Sequence, residues 1–220
     1  NTAVSQTVAV LISSSADDAE EADDGDMYVD SSDLELVYDG SNQTIGLRFQ
    51  GVQIPQGATI TDAYVEFETD ETNSTSTSVL IAAEAVDDAA VFSSRDYNIS
   101  SRPRTETAVQ WNNIPAWNGV SQKHQTPNLA PVVQEVVSRS GWISGNDLVL
   151  IITGSGERTA ESYNGESNNA PLLVVDYLLA TAVPTPTPSA PIDGPAEEPT
   201  EIIHENLIIN SSFEAGLTNL

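Results

Sequence analysis

Ile60-Thr61-Asp62-Ala63-Tyr64-Val65-Glu66-Phe67-Glu68 alternates apolar with polar residues, so Ala63, Val65 and Phe67 share one side of an extended chain. That is the pattern of a strand with one buried face. It follows the turn signal Ile54-Pro55-Gln56-Gly57-Ala58, and the period of two recurs along most of the chain. Residues 4–12 are apolar and β-branched, and residues 34–38 alternate up to the turn pair Asp39-Gly40. Residues 44–49 then resume the alternation, so the two runs read as a hairpin. Further strands are expected at residues 78–84, 107–111, 148–153, 160–163 and 172–177. Eight or more short strands punctuated by Gly, Pro and Asn predict an all-β chain, a jelly-roll β-sandwich. A single short helix interrupts them. Asn128 caps residues 129–138, where Leu129, Val132, Val133, Val136 and Val137 fall on one helical stripe, and Gly141 ends it. Trp142 and Trp111 read as core residues.

The chain has 220 residues, 39% of them hydrophobic, enough to bury a core. The Pro-rich break after it divides the chain into a β domain at 1–180, a Pro/Thr-rich linker at 181–200 and a strand-like segment at 201–220. The net charge is −26, from 33 acidic residues against 7 basic ones, and Lys123 is the one lysine. Nucleic acid and anionic membranes both require a basic surface, so neither is an expected partner. Cations are, because self-repulsion at this charge density opposes a compact state unless divalent ions offset it. Calcium is therefore the expected cofactor. With no cysteine there is no disulfide framework and no thiolate chemistry. No apolar run reaches membrane-spanning length, and no charged n-region followed by an apolar h-region stands at the start, so a mature or trimmed form is expected. Ser/Thr/Asn richness, scarce lysine and the Pro/Thr linker suit an extracellular or cell-surface location.

Val183-Pro184-Thr185-Pro186-Thr187-Pro188 favours extended polyproline, and Glu201-Ile202-Ile203-His204-Glu205-Asn206-Leu207-Ile208-Ile209-Asn210 alternates but is too short to bury its own apolar face. A linker of about twenty residues at about 3.1 Å each reaches roughly 60 Å, beyond the edge of a domain of this size. The natural holder of the segment is a neighbouring copy, with Ile202, Ile203, Leu207, Ile208 and Ile209 as plugs in one phase or the other. Alternatively the N-terminal strand, with Val4, Val8, Val10 and Ile12, is the donated one, or the tail folds back on its own sheet.

Several stretches together resemble a known family. They are Ser32-Asp33-Leu34-Glu35-Leu36-Val37, Gly46-Leu47-Arg48-Phe49, the turn at 54–60, Arg102-Pro103-Arg104-Thr105, the interval from Trp111 to Trp117, Pro131-Val132-Val133-Gln134-Glu135-Val136, Gly141-Trp142, and Ala160-Glu161-Ser162-Tyr163-Asn164-Gly165 followed by Ala170-Pro171-Leu172-Leu173. In this order they resemble the disaggregatase-related, DNRLRE-type β-jelly-roll domain over residues 4–178. The resemblance implies an extracellular, non-catalytic accessory module, related in architecture to polysaccharide-binding modules. Residues 206–217 are similar to the opening strand of another jelly-roll module of carbohydrate-binding type, so the chain is expected to be part of something longer.

Eleven acidic residues and no basic one lie between Asp17 and Asp39. Carboxylates this dense hinder one another's ionisation unless a cation sits among them. Asp17, Asp18 and Glu20 in this stretch, Glu84 and Asp88 at a strand end, and Glu161 are the candidate calcium ligands. The stretch lacks EF-hand spacing. Glu161 is expected to alternate with Tyr163 on one strand face, where Arg158 competes with a metal as its partner. For a sugar, exposed aromatic rings matter most, and Trp117 and Tyr163 are the candidate platforms. The two histidines, His124 and His204, form no catalytic constellation with a nucleophile, so no enzyme is expected. Two functions fit: an assembly module joined head to tail by strand donation, or a polysaccharide-binding module of a secreted enzyme.

Overall fold

A computed structural model describes residues 3–180. The linker at 181–200 and the assembly candidates Ile202, Ile203, Leu207, Ile208 and Ile209 lie outside the described residues. In chain order the strands are β1 (Ala3–Leu11), β2 (Asp18–Ala22), β3 (Met27–Tyr28), β4 (Asp33–Glu35), β5 (Tyr38–Asp39), β6 (Ser41–Phe49), β7 (Thr59–Glu71), β8 (Thr77–Glu84), β9 (Arg104–Ile114), β10 (Lys123–Gln125), β11 (Leu148–Ser155), β12 (Thr159–Glu161) and β13 (Leu172–Ala180). The helix α1 spans Ala130–Val137, and α2 (Tyr163–Glu166) is a single turn. Among the described residues no helix is long and apolar enough to cross a membrane.

The strands form a jelly-roll β-sandwich of two antiparallel sheets. The first has six strands in the order β1-β13-β7-β12-β4, with β10 on the far side of β7. The second has seven, in the order β3-β2-β6-β11-β8-β9, with β5 beside β6. The alternation read at 60–68 places the core correctly: Ala63, Val65 and Phe67 are buried between the sheets. Phe67 stacks on Trp111 with ring centroids 6.4 Å apart and meets Trp117 at 6.5 Å. The stripe of α1, from Leu129 through Val137, packs into the same core. Asn128 Oδ1 accepts from Ala130 N at 2.7 Å at the start of the helix and from Ala63 N at 3.2 Å, which ties α1 to β7. Trp142 is buried after the helix, its indole N–H donating to the Ile54 carbonyl at 2.8 Å.

The expected hairpin from residues 34–38 to 44–49 survives only at its tip, where Tyr38 and Asp39 pair with Asn42 and Ser41. The run before it crosses to the other sheet, with Leu34 opposite Ala160. Leu36 N donates to Arg158 O at 2.8 Å and Arg158 N returns to Leu36 O at 2.9 Å. Alternation assigns a face and leaves the partner open, so a distant strand captured this one. The expected strand at 160–163 likewise stops at Glu161 and turns into α2, because the Ser162 hydroxyl accepts from Gly165 N and caps a helical turn. Glu161 and Tyr163 therefore do not share a strand face.

Candidate functional site

Register brings together carboxylates that are distant in sequence. On adjacent strands Asp33 lies directly opposite Glu161. Where β12 meets β7, Thr159 faces Glu71 and Ala160 faces Thr69, and this irregularity leaves Asp70 over as the extra residue. Asp33, Asp70 and Glu71 consequently each offer a carboxylate oxygen within 4.8 Å of the others. Burial and the Asp33 charge hold the Asp70 carboxyl above its usual range. Burial, then Asp70, Glu68, Glu166 and Asp33, do the same to Glu161. None of these acids takes part in an ion pair among the described residues.

A second acidic group lies nearby, where β2 approaches β4 and α2. Glu20 is buried, its Oε1 accepting from Glu35 N at 2.7 Å, and burial together with the Glu35 carboxyl pushes its pKa strongly up. The Glu35 carboxyl is also raised, first by its own burial. Burial and the neighbouring carboxyl thus favour the protonated form of both groups. Asp18 accepts from Tyr163 N at 2.7 Å, and burial pushes its carboxyl up to about 7.

The six expected metal ligands therefore do not converge. Asp17 is buried on Arg48, 2.6 Å away, and on Gln50, while Arg48 also reaches Asp147. Glu84 pairs with Arg102 at 2.7 Å, and Asp88 accepts from Asp147 N at 2.8 Å. Asp18 and Glu20 line the proton-holding group. Glu161 alone sits with the cluster of Asp33, Asp70 and Glu71. Asp70 and Glu71 close a second acidic run, Glu66, Glu68, Asp70 and Glu71, that the sequence reading passed over; only the register of β12 on β7 brings them to Asp33.

Arg158 is not the partner of Glu161. Arg158 is 1% exposed, and its guanidinium is turned to the start of β8 and the end of β9. It donates to the carbonyls of Pro115 at 2.9 Å, Thr75 at 2.7 Å and Ile114 at 2.6 Å, and to the Thr77 hydroxyl at 2.8 Å. Gly156 makes this approach possible: at φ +91 a Cβ there would lie 2.3 Å from the Ser76 carbonyl.

The sugar platforms change too. Trp117 is fully buried between Phe67 and His124, the imidazole stacked at 4.5 Å, so it offers no face to a ligand. Its loop position concealed an antiparallel bridge to Asn73, which draws the ring inward. Tyr163 is half-buried at the start of α2. Tyr97 is 50% exposed, but its ring rests on Gly25, where a Cβ would sit 2.5 Å from it.

The sheet edges differ in how they are guarded. On the second sheet, β9 carries Arg104 and Glu106, and Glu135 of α1 accepts from the N–H groups of Glu106 and Thr107, both at 2.8 Å. On the first sheet, β10 is three residues long and begins with Lys123. β1 is different: it has nine residues, Ala-Val-Ser-Gln-Thr-Val-Ala-Val-Leu, with no charge and no proline. It pairs in register with β13 from Ala3 opposite Ala180 to Leu11 opposite Leu172. No strand covers its other side among the described residues. In this structure the N-terminal strand therefore pairs within its own chain. Ile12 N donates to Pro171 O at 3.1 Å, so by antiparallel alternation the even-numbered residues of β1 bond to β13. The N–H and C=O groups of Ala3, Ser5, Thr7, Ala9 and Leu11 then point to the open side.

No protein-family model matches this chain, and no curated protein matches it.

Proposed function

We propose that this chain is a non-catalytic structural module of the extracellular or cell-surface space that joins copies of itself head to tail by strand donation, with calcium neutralising its acidic cluster. The observation that carries the reading is the open edge of β1: nine residues without a charge or a proline and, among the described residues, without a covering strand. Such an edge is a template for another chain, and soluble proteins ordinarily blunt it. The resemblance to extracellular accessory modules supports the location.

The donor set suits calcium. Asp33, Asp70 and Glu71, with Glu161 beside them, are all hard oxygen ligands, and a divalent cation would supply the positive charge that no neighbouring side chain provides. A cation there would tie β4 to β7 and lower the repulsion between approaching copies of a chain with a net charge of −26. The polysaccharide-binding alternative has less to stand on, since of its two platforms Trp117 is sealed in the core and only Tyr163 remains.

Electron microscopy and sedimentation of the full chain, with millimolar calcium and with a chelator, test the reading. Head-to-tail particles that shorten or disperse on chelation are expected. A monomer at high concentration in both conditions overturns the assembly reading, and particles indifferent to chelation overturn the role of calcium.

A further inference from the structure

The open edge has a directional pattern, and the C-terminal segment repeats it. We propose that β1 accepts residues 203–209 of a second copy as a parallel strand, with Ile203 beside Val4, Glu205 beside Gln6, Leu207 beside Val8 and Ile209 beside Val10. The inference rests on the reading that copies join by strand donation and adds the acceptor, the register and the direction.

The even-numbered residues of β1 face the core side of the sheet. Val8 and Val10 pack against the core only in part, and Val4 is 45% exposed, so an added strand has apolar flank left to cover. Along this face β1 reads Val4, Gln6, Val8, Val10: apolar, polar, apolar, apolar. The odd-numbered residues of the tail read Ile203, Glu205, Leu207, Ile209, the same sequence of types in the same direction. Laid parallel, every apolar residue meets an apolar neighbour, and the Gln6 amide can donate to the Glu205 carboxylate. Laid antiparallel in the same span, Glu205 falls beside Val8 and Leu207 beside Gln6, leaving a carboxylate against the apolar flank. The open groups of Ala3, Ser5, Thr7, Ala9 and Leu11 provide the main-chain ladder.

Chain length selects the second copy as the source. β13 ends at Ala180, opposite Ala3, at the corner where the open edge begins. A strand added to the same molecule would start two strand spacings away, roughly 10 Å. The connection at 181–200 carries six prolines and has a reach of roughly 60 Å. A long proline-stiffened spacer is poorly matched to so short a gap and well matched to a neighbouring molecule. Such a contact is heterologous and does not close, so it propagates.

Two variants of the full chain separate the halves of the contact. Leu207→Asp changes the donor outside the β domain, and Ala9→Pro removes an open-side N–H of the acceptor while sparing the bonds to β13. Each alone is expected to abolish species larger than a monomer. Mixed together, they are expected to form heterodimers that grow no further, because each retains one intact half. A peptide of residues 201–210 is expected to cap wild-type assemblies, and a peptide with residues 203–209 reversed is expected to have no effect. Should Ala9→Pro fail to fold, the peptide pair carries the test. Wild-type assembly that ignores both Leu207→Asp and the peptide overturns this acceptor and register while leaving strand-linked assembly standing. A monomeric wild type overturns both, including the case where residues 201–210 resist proteolysis because they pack on their own molecule.

Discussion

Arg158 and the cluster of Asp33, Asp70 and Glu161 lie close together in the chain fold and handle charge in opposite ways. The arginine is a fully buried cation with no carboxylate partner, yet backbone carbonyls and a hydroxyl satisfy its donors. The carboxylates are partly open to water and have no basic partner among the described residues. In a chain with 33 acids and 7 bases, no basic side chain pairs with this cluster among the described residues. The buried arginine has become a clamp for the backbone, joining β8, β9 and the turn before β12. The acids are left to a mobile ion or to a proton.

The largest test of this contrast is Arg158→Met. It leaves the carbonyls of Ile114, Pro115 and Thr75 without their donor, and each orphaned buried acceptor costs about 1–3 kcal/mol. A loss of about 3 kcal/mol or more is expected in urea unfolding. Arg158→Lys should recover little of it, because an ammonium cannot span the same set of acceptors. A loss under about 1 kcal/mol would mean that the clamp is dispensable.

On the acidic side, calcium at a hundred times its Kd would add about 2.7 kcal/mol. Thermal unfolding should show this as a rise in Tm that magnesium does not reproduce. Asp33→Asn combined with Asp70→Asn should remove the rise and, without calcium, leave Tm equal or higher because repulsion is relieved. An unchanged calcium response in that double variant would place the ion elsewhere.

The proton-holding group predicts a more gradual effect. Asp18, Glu20 and Glu35 have folded-state pKa values above their unfolded ones. The folded state therefore binds more protons, and stability falls as pH rises. The Asp18 contribution is complete below about pH 4 and is lost as pH rises through about 7; the loss from Glu20 continues into the alkaline range. Urea titrations from pH 5 to 10 should show this decline, and Glu20→Gln should flatten its upper part. Stability that climbs with pH in that interval would contradict the raised carboxyls. The smallest effect belongs to Lys123, whose exposed ion pair with Glu66 is worth under about 1 kcal/mol, so Lys123→Ala should barely move Tm.

Much of the sandwich was legible. The alternation at 60–68 identified the buried face of β7, the run at 172–177 was expected as the strand that β13 forms, and the helical stripe from Leu129 to Val137 identified the packing side of α1. Trp142 was read as a core plug for the same reason: it follows a helix stop and carries a large apolar ring. The candidate site was less legible. Glu161 was singled out, but its neighbours Asp70 and Glu71, at the end of an acidic run from Glu66, were not, because their meeting with Asp33 depends on the register of β12 on β7. Trp117 looked like a surface loop residue because proline and asparagine surround it, and its burial depends on a bridge to Asn73.

What the amino-acid sequence determined by itself is therefore the class of fold, the face that β7 buries, the excess of negative charge and the uncharged composition of β1. These are local properties: side chains alternate with a period of two whatever lies next to the strand. The tertiary structure alone decided which strands meet. It set Asp33 against Glu161, squeezed out Asp70 at an irregularity, turned Arg158 toward carbonyls and left β1 at an edge. Pairing is a relation between distant segments, and a shift of one residue in register would redistribute every one of these contacts without changing a letter of the sequence.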